Sequence, residues 1–260
     1  MSDQQGKVHL TISGGVAAIL IDRPVARNAM TWTMYEQLAA ICTRIALDDT
    51  IRVATIRGAG GEAFVAGTDI AQFEHFNSAE DGVAYEKVID TNIGLIERLP
   101  MPTIAIVEGW AIGGGLAISA ACDFRITTPG ASFGVPIART LGNCLSMANT
   151  ARVVAAFGVP RAKRMLLLAE TISASEALAC GFVTAIAEPA ELDAAAAQMC
   201  KRLASHAPLT MRVSKEAIRR LINEGLPQGE DLVRTCYGSS DFHAGVAAFL
   251  DKQRPAWTGQ

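Results

Sequence analysis

The stretch "VEGWAIGGGLAISAACDFRIT", residues 107–127, reads as the end of an apolar strand, a turn of three glycines, and then a helix. Gly113, Gly114 and Gly115 let a backbone come close to a ligand. The first N–H groups of the helix that follows have no carbonyl partner inside it, so the turn is laid out to receive negative charge. Residues 116–119 (Leu, Ala, Ile, Ser) carry no acid or base. The segment therefore offers a place for an anion without the group that would move a proton.

Working outward, 103–107 is a short, wholly apolar run, as expected of a strand covered on both faces. Residues 8–12 and 16–21 are β runs separated by Ser13-Gly14-Gly15, which predicts a hairpin. Thr31 is placed to cap a helix over 32–47, with Tyr35, Leu38, Cys42 and Ile45 on one face. A short strand is expected at 53–56 and a helix over 79–99, stopped by Pro100 and Pro102. Further strands are expected at 124–127, 132–133 and 183–187, and helical signals dominate from Leu145 onward. Alternating strands and helices followed by helices predict an α/β core with a helical C-terminal part.

Composition narrows the function classes. With 260 residues, half of them hydrophobic and 19% charged, the chain is globular and long enough for a sizeable core. A net charge of −3 argues against nucleic acid as the main ligand. The polar start "MSDQQGKVHL" has neither a signal-peptide core nor a transit-peptide pattern, and no apolar run approaches the roughly 20 residues a membrane span needs. Six scattered cysteines and four histidines without ligand spacing speak for reduced thiols, a cytoplasmic setting and no metal site.

Three separated segments, "RPVARNAM" (23–30), "AFVAGTDI" (63–70) and "EGWAIGGGLAISAACDFRI" (108–126), resemble the signature segments of the crotonase, or enoyl-CoA hydratase/isomerase, superfamily. "SASEALACGFVTAI" (173–186) and "FLDKQRPAW" (249–257) resemble later parts of that family in the right order. The resemblance implies a crotonase-like α/β spiral of ββα units over 1–199 with an acyl-CoA site, and a C-terminal helical trimerisation region over 200–260. It implies a homotrimer or dimer of trimers, and no cofactor beyond coenzyme A as the carrier of an acyl-CoA thioester substrate.

Carried over by motif, the backbone N–H groups of Thr68 and Gly114 form an oxyanion hole for the thioester oxygen. One such donor is typically worth about 3–4 kcal/mol of barrier. The resemblance implies that Ala26, Arg27, Ala66, Asp69 and Ile70 meet coenzyme A, with Phe249 and Lys252 reaching it from the C-terminal end. Asp69 competes as a helix cap, and Asp123 is expected to be structural.

The chain departs from the pattern where the chemistry should be. The two positions at which family hydratases carry glutamates hold Ala117 and Ile137, and a third acidic position aligns near Ser146. No Asp or Glu occurs between Asp123 and Glu170. Arg139 is a candidate for pairing with a substrate carboxylate, and Asn143 and Ser146 for hydrogen bonding or holding water. Glu62, Glu74 or His75 could supply an acid from the other wall. Cys144 has no nearby histidine and is expected to be a buried thiol. An oxyanion hole without these acids suits decarboxylation of a malonyl-type thioester or thioester hydrolysis, or a binding subunit without activity. A serine peptidase on the related Clp-like fold would need Ser119 as nucleophile, and no histidine partner is evident.

Overall fold

The computed structural model describes residues 6–223, 225 and 229–258. The expected hairpin is present: β1 (Lys7–Ser13) pairs antiparallel with β2 (Val16–Asp22), in register from Lys7↔Asp22 to Ser13↔Val16. Thr31 caps α1 (Trp32–Ala46) by accepting the Met34 N–H, and α1 buries Tyr35, Leu38, Cys42 and Ile45 along one stripe.

Three units of one pattern follow. In each, a longer strand is followed by a three-residue strand and then by helix. These are β3 (Val53–Gly58), β4 (Ala63–Val65) and α2 (Ala79–Glu97); β5 (Thr103–Val107), β6 (Trp110–Ile112) and α3 (Gly114–Ala121); and β7 (Phe124–Thr127), β8 (Ser132–Gly134) and α4 (Ile137–Thr140). The chain continues through α5 (Met147–Leu167), β9 (Thr171–Ser173), α6 (Ala174–Ala179), β10 (Ala185–Ile186), α7 (Leu192–Ala204), α8 (Pro208–Asn223), α9 (Glu230–Tyr237) and α10 (Ser240–Leu250).

First strands and second strands go to different sheets. The larger has the order β1-β2-β3-β5-β7-β10, parallel from β2 onward, and the smaller the order β4-β6-β8-β9. Advancing one strand in each sheet per unit is the expected spiral. Of the three-residue strands, β8 answers to the strand expected at 132–133, whereas β4, β6 and β9 escape sequence reading because they are too short to show alternation. β10 is shorter than the expected 183–187 because the Val183 N–H is spent on Ala177 O at the end of α6.

Every residue of β5 is buried, since the larger sheet is covered twice. One face meets the main core, which includes Ile56, Ala105, Val107, Leu116 and Ile118. The other packs Val53, Ile104, Ile106 and Ile126 against Leu192, Ala196, Cys200 and Leu203 of α7. α7 thus runs through the 199/200 boundary as a core helix. A third cluster joins Phe73 and Val83 to Val233 and Tyr237 of α9 and to Phe242 and Val246 of α10. The C-terminal helices are therefore folded back over α2, and this places the site. Among the described residues no helix is long and apolar enough to cross a membrane, and no group of three His, Cys, Asp or Glu could hold a metal ion.

Candidate active site

Backbone pairing presents the two candidate donors. Met30 bridges the 67–69 segment: its N–H bonds to Gly67 O at 2.8 Å, and its carbonyl accepts the Asp69 N–H at 2.9 Å. Strand alternation then turns the Thr68 N–H between them away from Met30. Gly114 is the first residue of α3, so its N–H has no partner within the helix. A Cβ built on Gly114 would lie 3.8 Å from Thr68 N, so the two residues are close neighbours. Gly115 lets α3 sit that low on β4: a Cβ there would fall 2.0 Å from Val65 O.

Both residues line a cavity of about 150 Å³ whose walls are mostly apolar, including Ile70, Phe73, Ile89, Leu141, Leu145 and Phe249. Ala117 and Ile137, the positions where the resemblance implies glutamates, line it too. A carboxylate is nonetheless present. Glu86 of α2 lines the cavity while being only 5% exposed.

Glu86 is held from two sides. Its Oε1 accepts the Tyr237 hydroxyl at 2.8 Å, and its Oε2 accepts the Ser146 N–H at 2.9 Å. Asn143 Nδ2 donates to Tyr237 Oη at 3.1 Å, while Asn143 Oδ1 is buried without a partner among the described residues. Gly82, one turn before Glu86, makes room for this arrangement: a Cβ on it would sit 2.1 Å from Cγ of Tyr237. Behind Glu86, Asp90 accepts the Ser146 hydroxyl and Asn149 Nδ2, and Arg152 binds Glu97 and approaches Asp90 at 3.6 Å.

Burial pushes the Glu86 carboxyl up from 4.5 to about 7; the hydrogen bonds from Tyr237 and Ser146 oppose the shift, and the charge of Asp90 adds to it. A carboxyl so placed is divided between acid and base near neutral pH, the condition in which one group can both take and return a proton. Three hydroxyls adjoin it: Tyr35 Oη lies 3.0 Å from Thr68 Oγ1, which lies 2.8 Å from Tyr85 Oη.

The family model described as enoyl-CoA hydratase/isomerase matches residues 11–260. The chain belongs to that family. Its relatives include the short-chain-enoyl-CoA hydratase of Clostridium acetobutylicum, 32% identical over 254 residues and covering 95% of both chains. Among solved structures, an enoyl-CoA hydratase/carnithine racemase from Magnetospirillum magneticum is 32% identical with a TM-score of 0.79, covering 97% of this chain and 96% of its own. A methylmalonyl-CoA decarboxylase in complex with 2-nitronate-propionyl-CoA is 25% identical with a TM-score of 0.88, covering 97% and 98%.

Against this enoyl-CoA hydratase/isomerase frame, the residues singled out from sequence divide into three groups. Thr68, Gly114, Ala66, Ile70, Asn143 and Phe249 line the cavity, and Phe249 does so from the same chain. Ser146 and Asp69 act at one remove. Ser146 caps α5 and holds Glu86 and Asp90. Asp69 caps the turn Ile70–Phe73 and pairs with Arg23 at 2.8 Å. Ala26 and Arg27 lie at the edge, joined to the site where Arg27 O accepts the Ala66 N–H.

The third group falls outside. Arg139 is exposed on α4, because a single helical turn that points Ile137, Thr140 and Leu141 inward leaves Ala138 and Arg139 outward. Lys252 is exposed beyond α10, away from the lining. Glu62, Glu74 and His75 are exposed and do not line the cavity. Cys144 donates to Leu232 O, and contact with Cys236 together with burial pushes its thiol up. Ser119 is fully buried with its hydroxyl on Leu116 O, which removes it as a nucleophile. Asp123 ties Thr103 to Lys215 and is structural.

Glu86 and Tyr237 are the residues that sequence reading missed. A signal for the first exists: Gly82, Glu86, Ile89, Ile93 and Ile96 form one stripe at helical spacing, with a glutamate in its middle.

Proposed function

We propose that the protein processes a short, apolar acyl-CoA thioester by proton transfer next to the carbonyl, and that its reaction is conversion of a 3-enoyl-CoA to the conjugated 2-enoyl-CoA. The observation that carries this reading is Glu86, a single buried carboxyl in the same small cavity as the Thr68 and Gly114 N–H groups. Ionised Glu86 takes a proton from the α-carbon. The electrons move onto the thioester oxygen, where the two N–H groups stabilise the charge. The β,γ double bond shifts to α,β as Glu86 returns the proton to the γ-carbon. One carboxyl suffices because the same proton leaves and comes back.

The edge formed by Ala26, Arg27 and Ala66 is the proposed place for coenzyme A. Decarboxylation finds less support despite the decarboxylase likeness, because among the described residues no Lys, Arg or His lines the cavity and a malonyl-type carboxylate would meet Glu86. Thioester hydrolysis would have to use water, since among the described residues no Cys, Ser or His lines the cavity. Hydration is the second reading, favoured by the unpartnered Asn143 Oδ1, which can accept a hydrogen bond from water.

The test is incubation of a short 3-enoyl-CoA with the protein in D₂O, followed by mass spectrometry and absorbance of the conjugated product. Isomerisation is expected, with little deuterium in the acyl chain, because the proton that Glu86 takes is the one it returns. A water adduct as the main product favours hydration. Neither exchange nor turnover on any acyl-CoA leaves a binding subunit.

A further inference from the structure

The hydroxyls of Tyr35, Thr68 and Tyr85 stand in a row beside the Thr68 N–H, and counting their protons gives the row a direction. Three hydroxyls carry three protons, while the two hydrogen bonds joining them use two. The remaining proton points elsewhere.

It is poorly placed on Tyr35. That residue is 1% exposed and packs within the main core, and its hydroxyl bonds only to Thr68 among the described residues. A buried hydroxyl proton without an acceptor costs stability, so the favoured polarity has Tyr35 donating to Thr68. The spare proton then sits at the outer end of the row, on Tyr85 when Thr68 donates onward. Tyr85 and Thr68 both line the cavity, where a substrate can accept it.

We propose that Tyr85, oriented by Tyr35 through Thr68, is a third hydrogen-bond donor to the thioester oxygen, alongside the Thr68 and Gly114 N–H groups. The proposal rests on the oxyanion reading of the site and adds a side-chain donor to it. Tyr35 is the positioning residue. Its hydroxyl also lies against the bare Cα of Gly114, 2.6 Å from where a Cβ would stand, so one phenol touches both backbone donors' supports. Tyr85 keeps its proton throughout, because burial raises its ionisation well above 10 and the neighbouring Tyr35 and Glu86 add to the effect. Its ring is fixed by edge contacts with Trp32, Phe73 and Phe76 and a tilted one with Tyr237, all of which phenylalanine retains.

The experiment compares wild type, Tyr85→Phe and Tyr35→Phe in three measurements. These are kcat and KM on a 3-enoyl-CoA, calorimetric binding of butyryl-CoA, and the red shift of the 2,4-hexadienoyl-CoA absorbance on binding, which reports polarisation of the thioester. Tyr85→Phe is expected to lower kcat about 10²-fold and to shrink the red shift, with butyryl-CoA affinity within about twofold of wild type. Tyr35→Phe is expected to show a smaller loss of the same kind. A Tyr85→Phe protein with wild-type kcat and red shift overturns the proposal, as does one whose kcat falls only in step with its butyryl-CoA affinity. A wild-type complex with no red shift overturns the oxyanion reading itself.

Discussion

Glu86→Gln keeps the volume of the side chain and removes its charge, and two consequences of opposite sign follow. Glu86 is the one carboxylate lining the cavity among the described residues, so the variant loses the proposed base. A positioned acid–base group is worth about 10² to 10⁴ in rate, and a shuttle that uses it twice belongs at the upper end. The expected loss in kcat for 3-enoyl-CoA isomerisation is at least about 10³-fold. Wild-type kcat/KM should rise through pH 7, as the buried carboxyl ionises, and level off above it.

Stability should move the other way. An unfolded carboxyl releases its proton near 4.5, whereas the folded Glu86 keeps it to about 7. Between those values the folded state holds the extra proton, so the stability contributed by this group falls as pH rises. The displacement corresponds to about 3 kcal/mol at full ionisation. Glutamine does not ionise. Its carbonyl can accept the Ser146 N–H, and Tyr237 can turn its proton to the unpartnered Asn143 Oδ1 after that amide reorients. Denaturant titrations of both proteins from pH 5 to pH 8, at equal protein concentration, should give a stability difference that grows in favour of Glu86→Gln by about 3 kcal/mol. A difference that stays flat across this range refutes the burial argument. A variant retaining more than about a tenth of the wild-type rate refutes the catalytic one.

Other perturbations test separate parts of the structure. Gly115→Ala forces a methyl against Val65 O and should destabilise by about 3 kcal/mol or more, read as a lower denaturation midpoint. Hydration of crotonyl-CoA, followed by loss of enoyl absorbance, should be at least about a thousandfold slower than by a hydratase with both glutamates, since Ala117 and Ile137 line the cavity in their place. Short acyl-CoAs should bind with micromolar affinity, roughly 8 kcal/mol, by calorimetry, and no binding up to millimolar concentration would discard the coenzyme A site. Light scattering should give a trimer or a multiple of it, as the family resemblance implies, and a monomer at all concentrations would count against that assembly.

The parts of the fold that sequence reading reached are those governed by local rules. The hairpin at Ser13-Gly14-Gly15, the Thr31 cap and the glycine turn into α3 each follow from a few adjacent residues. The two candidate donors came from the family resemblance, carried by the segments around Thr68 and Gly114. Glu86 was not legible, because α2 carries five acidic residues from Glu80 to Glu97, and its place in the apolar stripe does not separate a site carboxylate from a structural one. That separation is made by Tyr237, 151 positions away, through a contact that exists only once α9 lies on α2. Arg139 failed for the converse reason. Its chemistry suited a carboxylate, but the direction of a one-turn helix decides its exposure and is set by the packing of Ile137 and Leu141.

The return of α9 onto α2 also sets when the protein can first act. A ribosome makes the segments holding Thr68, Glu86 and Gly114 before the paired strands of both sheets are complete at Ile186. At that stage Glu86 has no phenol to hold it, and the side of the cavity closed by Phe249 is open. Tyr237 and Phe249 are added only after every paired strand has been made. A nascent chain that has already folded its spiral thus has the cavity without the phenol that holds Glu86, and completion of the site waits for α9 and α10.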